Sequence, residues 1–78
     1  MKYIKFEQPN CVPCKNMGDY LDGKNIEYAK VTPFDDPESA MKYKIRTVPV
    51  LVAVDDNGEE VGRTVGFKPS EIDNLLSL

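Results

Sequence analysis

The sequence predicts an α/β fold: a four-stranded mixed sheet in the order β-α-β-α-β-β-α, with helices on both faces. Three observations carry that expectation. Ile4 and Phe6 alternate with polar neighbours at the period of a strand. Met17, Tyr20 and Leu21 recur at the spacing of a helix. Late in the chain, Asn57-Gly58 divides two strand-like runs as a hairpin turn does. With 78 residues the chain is about half the length of a typical domain, so residues 1–78 are expected to form a single domain.

Taken in order, Tyr3 to Glu7 is the first strand, and Pro9-Asn10 breaks it. Val12 to Asp22 is a helix, with Gly23 placed as its C-terminal cap. Ile26 to Val31 is the second strand, parallel to the first because a β-α-β crossover is right-handed. Asp36-Pro37 starts a short second helix to about Tyr43, with an acidic N-cap and proline at its first position. Val50 to Val54 is the most apolar segment and belongs at the sheet centre. Asp55-Asp56-Asn57-Gly58 turns the chain, and Glu60 to Val65 returns antiparallel. Pro69-Ser70 opens the last helix, with Ser70 as cap and Ile72, Leu75 and Leu76 as the buried stripe.

Composition removes much chemistry. Thirteen acidic residues against 10 basic ones give a net charge of −3, which argues against a nucleic-acid binder. There is no His, so the commonest general base and the commonest zinc ligand are both missing. The opening residues alternate rather than forming the continuous apolar stretch of an export signal. No run approaches the roughly 20 apolar residues that span a bilayer. A reducing, cytoplasmic address without membrane contact is therefore the expectation.

Cys11-Val12-Pro13-Cys14 lies where the first strand hands over to the first helix. A helix N-terminus presents unpaired N–H groups and a partial positive charge, and both favour a thiolate. Cys11, at the cap, is expected to be the exposed nucleophile. Cys14, one turn on and facing inward, is expected to attack second. Their i, i+3 spacing puts both sulfurs on one helix face, within disulfide reach. Pro13 suits a first turn, where no N–H is needed, and Lys15 adds a nearby cation. Lys5 falls on the sheet face of Tyr3 and Glu7, opposite Ile4 and Phe6. Its ammonium can pass the helix to water, or lie near Cys14 and favour a thiolate. Other readings of the cysteine pair stay open. A structural disulfide would close too small a loop to stabilise much. A metal or iron–sulfur site has two thiolates where about four ligands are needed. Two unrelated surface cysteines are the third. Dithiol–disulfide redox chemistry is the reading favoured for this motif near a β-α-β pattern.

These residues resemble the thioredoxin/glutaredoxin superfamily nearly end to end. The resemblance rests on Cys11-Val12-Pro13-Cys14-Lys15 after a strand, Ile45-Arg46-Thr47-Val48-Pro49 before the core strand, and Gly66-Phe67 before the last helix. It implies a thioredoxin fold and a cis Pro49 beside the disulfide, with Val48 offering its backbone to an extended substrate. Val12, Pro13, Thr47, Val48, Pro49, Gly66 and Phe67 would form the substrate surface; Phe67 can equally be core. Pro13 and the segment before Pro49 are thioredoxin-like. The length and Gly66-Phe67-Lys68-Pro69-Ser70 are similar to the small glutaredoxin-like redoxins that serve ribonucleotide reductase and are recharged by thioredoxin reductase. A glutaredoxin's glutathione site usually has a Gly-rich turn followed by Asp, where this chain has Phe67, Lys68 and Pro69. The resemblance thus implies a protein-disulfide reductase, a monomer that needs no cofactor or metal beyond the Cys11–Cys14 couple. Glutathione as reductant, and a thioredoxin-fold binding or iron–sulfur module, are the alternatives. Three positions depart from the family: Asn10 replaces its tryptophan, Lys5 its buried acid, and Lys44 a frequent glycine.

Overall fold

The computed structural model describes residues 1–78. Its elements are β1 (Lys2–Phe6), α1 (Val12–Gly23), β2 (Ala29–Val31), α2 (Pro37–Lys42), β3 (Val50–Val54), β4 (Glu60–Val65) and α3 (Pro69–Leu76). The sheet order is β2-β1-β3-β4. β1 runs parallel to β2 and antiparallel to β3, and β3 runs antiparallel to β4. The expected element order and mixed sheet are both present, with β1 and β3 inside.

The sheet separates two apolar clusters. On one side Leu51 and Ala53 meet Met17 and Leu21 of α1 and Ile72 and Leu75 of α3. On the other, Phe6, Val50, Val52 and Val54 pack with Tyr43, at the end of α2. β3 feeds both, because alternate side chains point to opposite faces. Truncating Leu51, which is fully buried, would cost roughly 2–5 kcal/mol.

Five expectations are corrected. Gly23 is not the cap of α1; it is the last helical residue, and Asn25 takes the left-handed position at φ 58°. The Asn25 N–H donates to Asp22 O at 3.0 Å and the Ile26 N–H to Leu21 O at 3.1 Å. This paired capping pattern satisfies the last carbonyls of the helix. It also holds Ile26 against α1, which is why β2 begins only at Ala29. Ser70 does not cap α3: Pro69 presets a helical φ, so the cap falls on Lys68 and Ser70 lies inside the first turn. In the hairpin only Gly58 has positive φ, at 80°, and Asn57 does not. The Asp55 side chain organises that turn, accepting from the N–H groups of Asn57 at 2.9 Å and Glu59 at 3.0 Å. The strand boundary at Glu7 also moves, to Phe6. By contrast, Asp36 caps α2 as expected, accepting from Ser39 N–H at 3.1 Å.

Candidate active site

Three strand ends converge on the site. The register pairs Phe6 with Val50 and Val50 with Val65. The C-terminal ends of β1 and β4 therefore flank the N-terminal end of β3. From them lead the segment to Cys11, the Thr47-Val48-Pro49 segment and Gly66-Phe67. The Gly66 N–H donates to Pro49 O at 2.8 Å and ties two of these together. The Val48–Pro49 peptide bond is cis.

Asn10 turns the chain into α1 from the left-handed region, at φ 58°. Asn tolerates that conformation better than most residues. Cys11 is the N-cap of α1, and its Sγ accepts from the Cys14 N–H at 3.1 Å. The two cysteines form a disulfide with a Cα–Cα distance of 5.2 Å. Cys14 is 3% exposed, whereas Cys11 is only half-buried and Val12 and Pro13 are exposed. A helix N-terminal N–H donating to a sulfur favours its thiolate over its thiol.

The Thr47 and Val48 backbones pair with no other backbone group, and Val48 is half-buried. Phe67 is half-buried too, its ring edge-on to Tyr20 with centroids 5.8 Å apart. It packs against the α1/α3 cluster while keeping part of its surface in water.

Beside the disulfide is a cleft of about 610 Å³, whose walls include Cys11, Cys14, Lys5, Glu7, Gly18 and Tyr28. Lys5 is 4% exposed, so it does not take the route to water. Its Nζ donates to Glu7 Oε1 at 2.6 Å. The ammonium also lies 5.8 Å from the Tyr28 ring centroid. Gly18, one turn after Cys14, leaves the space it occupies. Burial, then the hydrogen bond from Tyr28 to Asp22, pushes the Tyr28 phenol up to about 12. Lys15 turns to Asp19 at 2.8 Å, and that hydrogen bond raises its pKa.

Two features escaped sequence reasoning. The pairing of Lys5 with Glu7 was available as opposite charges two residues apart on one strand face. The left-handed Asn10 had no comparable local signal. No group of three or more His, Cys, Asp or Glu side chains could hold a metal ion. No helix is long and apolar enough to cross a membrane.

A dithiol at a helix N-terminus, beside a cis-proline loop at the end of a mixed four-stranded sheet, defines a thioredoxin-fold disulfide oxidoreductase. Comparison with known proteins agrees. The chain is 49% identical over 76 residues to the SPbeta prophage-derived thioredoxin-like protein YosR of Bacillus subtilis, covering 97% of this chain and 95% of that one. It is 35% identical to the thioredoxin of Staphylococcus epidermidis, over 91% of this chain and 73% of the relative. The solved NrdH-redoxin of Escherichia coli, described as a glutaredoxin-like protein with a thioredoxin-like activity profile, matches with a TM-score of 0.77. That match covers 96% of this chain and 95% of the other at 22% identity, and so speaks for the fold alone. No family model matches the sequence. The chain belongs to the thioredoxin family. Such proteins act on protein disulfides with their cysteine pair and need no further cofactor.

Proposed function

We propose that this chain is a protein-disulfide reductase whose nucleophile is Cys11 and whose resolving thiol is Cys14. The observation that carries this reading is the asymmetry of the pair: Cys11 half-buried at the cap, Cys14 3% exposed beneath it. The Cys11 thiolate attacks one sulfur of a partner disulfide, forming a mixed disulfide and expelling the other partner sulfur as thiolate. Cys14, as thiolate, then attacks Cys11 Sγ, and the second partner sulfur leaves. The partner gains two electrons and two protons in all, and the Cys11–Cys14 bond reforms. Val48, with its backbone free, pairs with the extended substrate; Val12, Pro13, Thr47, Gly66 and Phe67 complete the surface, whereas Pro49, expected there too, is buried beneath it. Lys5, held by Glu7, is a positioning residue for the thiols across the cleft. Lys15 is the weaker candidate, since Asp19 holds its charge.

In this reading the chain works in the cytoplasm as a monomer and a single domain. It donates electrons to an enzyme such as ribonucleotide reductase and is recharged by thioredoxin reductase. Phe67, Lys68 and Pro69, in place of a Gly-rich, Asp-containing turn, support that reductase over glutathione. Two tests decide. Cys14→Ser should trap a mixed disulfide with substrate and Cys11→Ser none; equal trapping by both would sink the order of attack. NADPH with thioredoxin reductase should reduce the oxidised protein faster than NADPH with glutathione and its reductase. The opposite ranking would make it an ordinary glutaredoxin, and visible absorbance of the purified protein would point to an iron–sulfur module.

A further inference from the structure

Phe67 follows Gly66, which sits at φ 82°, and leads into α3. Its own backbone makes no backbone–backbone hydrogen bond, so its position rests on its side chain. That side chain has one aromatic partner. The Tyr20 ring of α1 stands nearly perpendicular to it, at 70°, with centroids 5.8 Å apart. Edge-to-face contact is a preferred arrangement of two aromatic rings.

Tyr20 is in turn held from two sides. Its hydroxyl donates to Asp73 Oδ1 of α3 at 2.7 Å. The Lys24 Nζ, one helical turn after Tyr20, lies 4.9 Å from the ring centroid and 3.3 Å from the same Asp73 oxygen. Asp73 thus gathers the phenol and the ammonium, and together they fix the ring in one orientation. The hydrogen bond raises the Tyr20 phenol and lowers the Asp73 carboxyl, so donor and acceptor both persist through neutral pH. The disulfide itself does not call for this clasp: Tyr20, Lys24 and Asp73 lie outside the cleft that Cys11 and Cys14 line.

Resting on the reductase reading above, we propose that Tyr20 is a positioning residue for the partner surface. Clasped by Asp73 and Lys24, it holds Phe67 half out of the core as an apolar contact for side chains that flank the target cysteine. The inner part of the Phe67 ring packs on the α1/α3 cluster, and its outer part stays in water. Without Tyr20 the ring is free to change rotamer, and the partner loses a preformed contact.

The test compares two disulfides in single-turnover oxidation of the reduced protein. One is a synthetic peptide disulfide with Leu beside each cysteine. The other is bis(2-hydroxyethyl) disulfide, which carries no side chain for Phe67 to meet. Phe67→Ala should slow the peptide by roughly two- to tenfold, the range an aromatic contact is worth, and leave the small disulfide unchanged. Tyr20→Leu and Asp73→Ala should slow the peptide in the same way, by about two- to fivefold. Asp73→Asn, which keeps an acceptor for the phenol, should stay near the parent. In the Phe67→Ala background Tyr20→Leu should add nothing, since the residue it serves is gone. Asp73 is exposed, so its two variants read the clasp even where Tyr20→Leu does not fold. A full peptide rate in Phe67→Ala, Tyr20→Leu or Asp73→Ala, a further loss in the double variant, or an equal loss with the small disulfide would overturn the clasp alone. Failure of the parent to reduce either disulfide would overturn the reductase reading and the clasp with it.

Discussion

Lys5 and Gly18 occupy one space: a Cβ built on Gly18 would stand 2.9 Å from the Lys5 ammonium nitrogen. A glycine within a helix normally costs stability, about 1 kcal/mol against alanine. Here the bare Cα lets a charged group lie beneath the helix that carries both cysteines.

Two glycines of α1 therefore respond differently to the same substitution. Gly23 has open space around its missing side chain. Gly23→Ala should raise stability by about 0.5–1 kcal/mol. Gly18→Ala should gain nothing or lose, because its methyl displaces the Lys5 ammonium. Urea unfolding of the two oxidised variants measures the contrast. An equal gain at both positions would mean that the ammonium moves aside freely.

The Lys5–Glu7 pair predicts opposite effects from its two halves. Lys5→Met leaves the Glu7 carboxylate alone in the cleft, and a nearby negative charge disfavours a thiolate. The Cys11 thiol pKa should rise, by about 0.5–1 for a like charge sharing a partly screened cleft. Glu7→Gln leaves the ammonium alone and should lower it. The double variant should lie near the parent. Ultraviolet thiolate titration reads all four proteins, and a flat response across the set would reduce Lys5 to packing.

Lys44 sits in the left-handed region at φ 55°, just after α2. Its N–H donates to Met41 O at 3.2 Å and the Ile45 N–H to Ala40 O at 2.8 Å, the same capping pattern that Asn25 serves for α1. A side chain with Cβ is strained there by about 1–2 kcal/mol, against a smaller entropic cost of glycine in the unfolded chain. Lys44→Gly should therefore stabilise the fold by about 0.5–1 kcal/mol in thermal or urea unfolding. Destabilisation would show that the lysine side chain holds this turn.

Tyr28 gives an alkaline signature. Its folded pKa of about 12 lies above the ordinary value of 10, so the fold favours the neutral phenol. That contribution is whole below pH 10 and is lost as pH rises toward 12. Ultraviolet titration of phenolate should show a step near 12 from Tyr28, beside a Tyr20 that its hydrogen bond to Asp73 also raises, and Tyr28→Phe should abolish the step near 12. Persistence of the late step in Tyr28→Phe would assign it to another ring.

Much of this was legible because local and tertiary rules agree. Val50 to Val54 reads as central from its apolarity alone, and all five residues are buried. The Cys11–Cys14 spacing and the helix start likewise define the site's chemistry before any coordinates. The errors cluster where termini are set by capping. Gly23 looked like a stop, but α1 runs on until Asn25 satisfies its carbonyls. Ser70 looked like a cap, but Pro69 starts α3 before it. Lys5 could be assigned to a face from period two, but not to a partner, because a buried ammonium's choice depends on the room Gly18 leaves.

β3 has a final consequence for how the molecule comes apart. It carries both apolar clusters, and its first residue follows directly on the cis Val48–Pro49 bond. Its amide hydrogens should exchange only through global opening, since no smaller opening frees a strand buried on both sides. The Thr47-Val48 segment is thus fastened to the strand expected to exchange slowest. Fraying of the exposed β2 edge or of the α3 terminus can come and go without disturbing it. A protease or chaperone that captures an opened molecule therefore meets one whose redox loop has already lost its anchor.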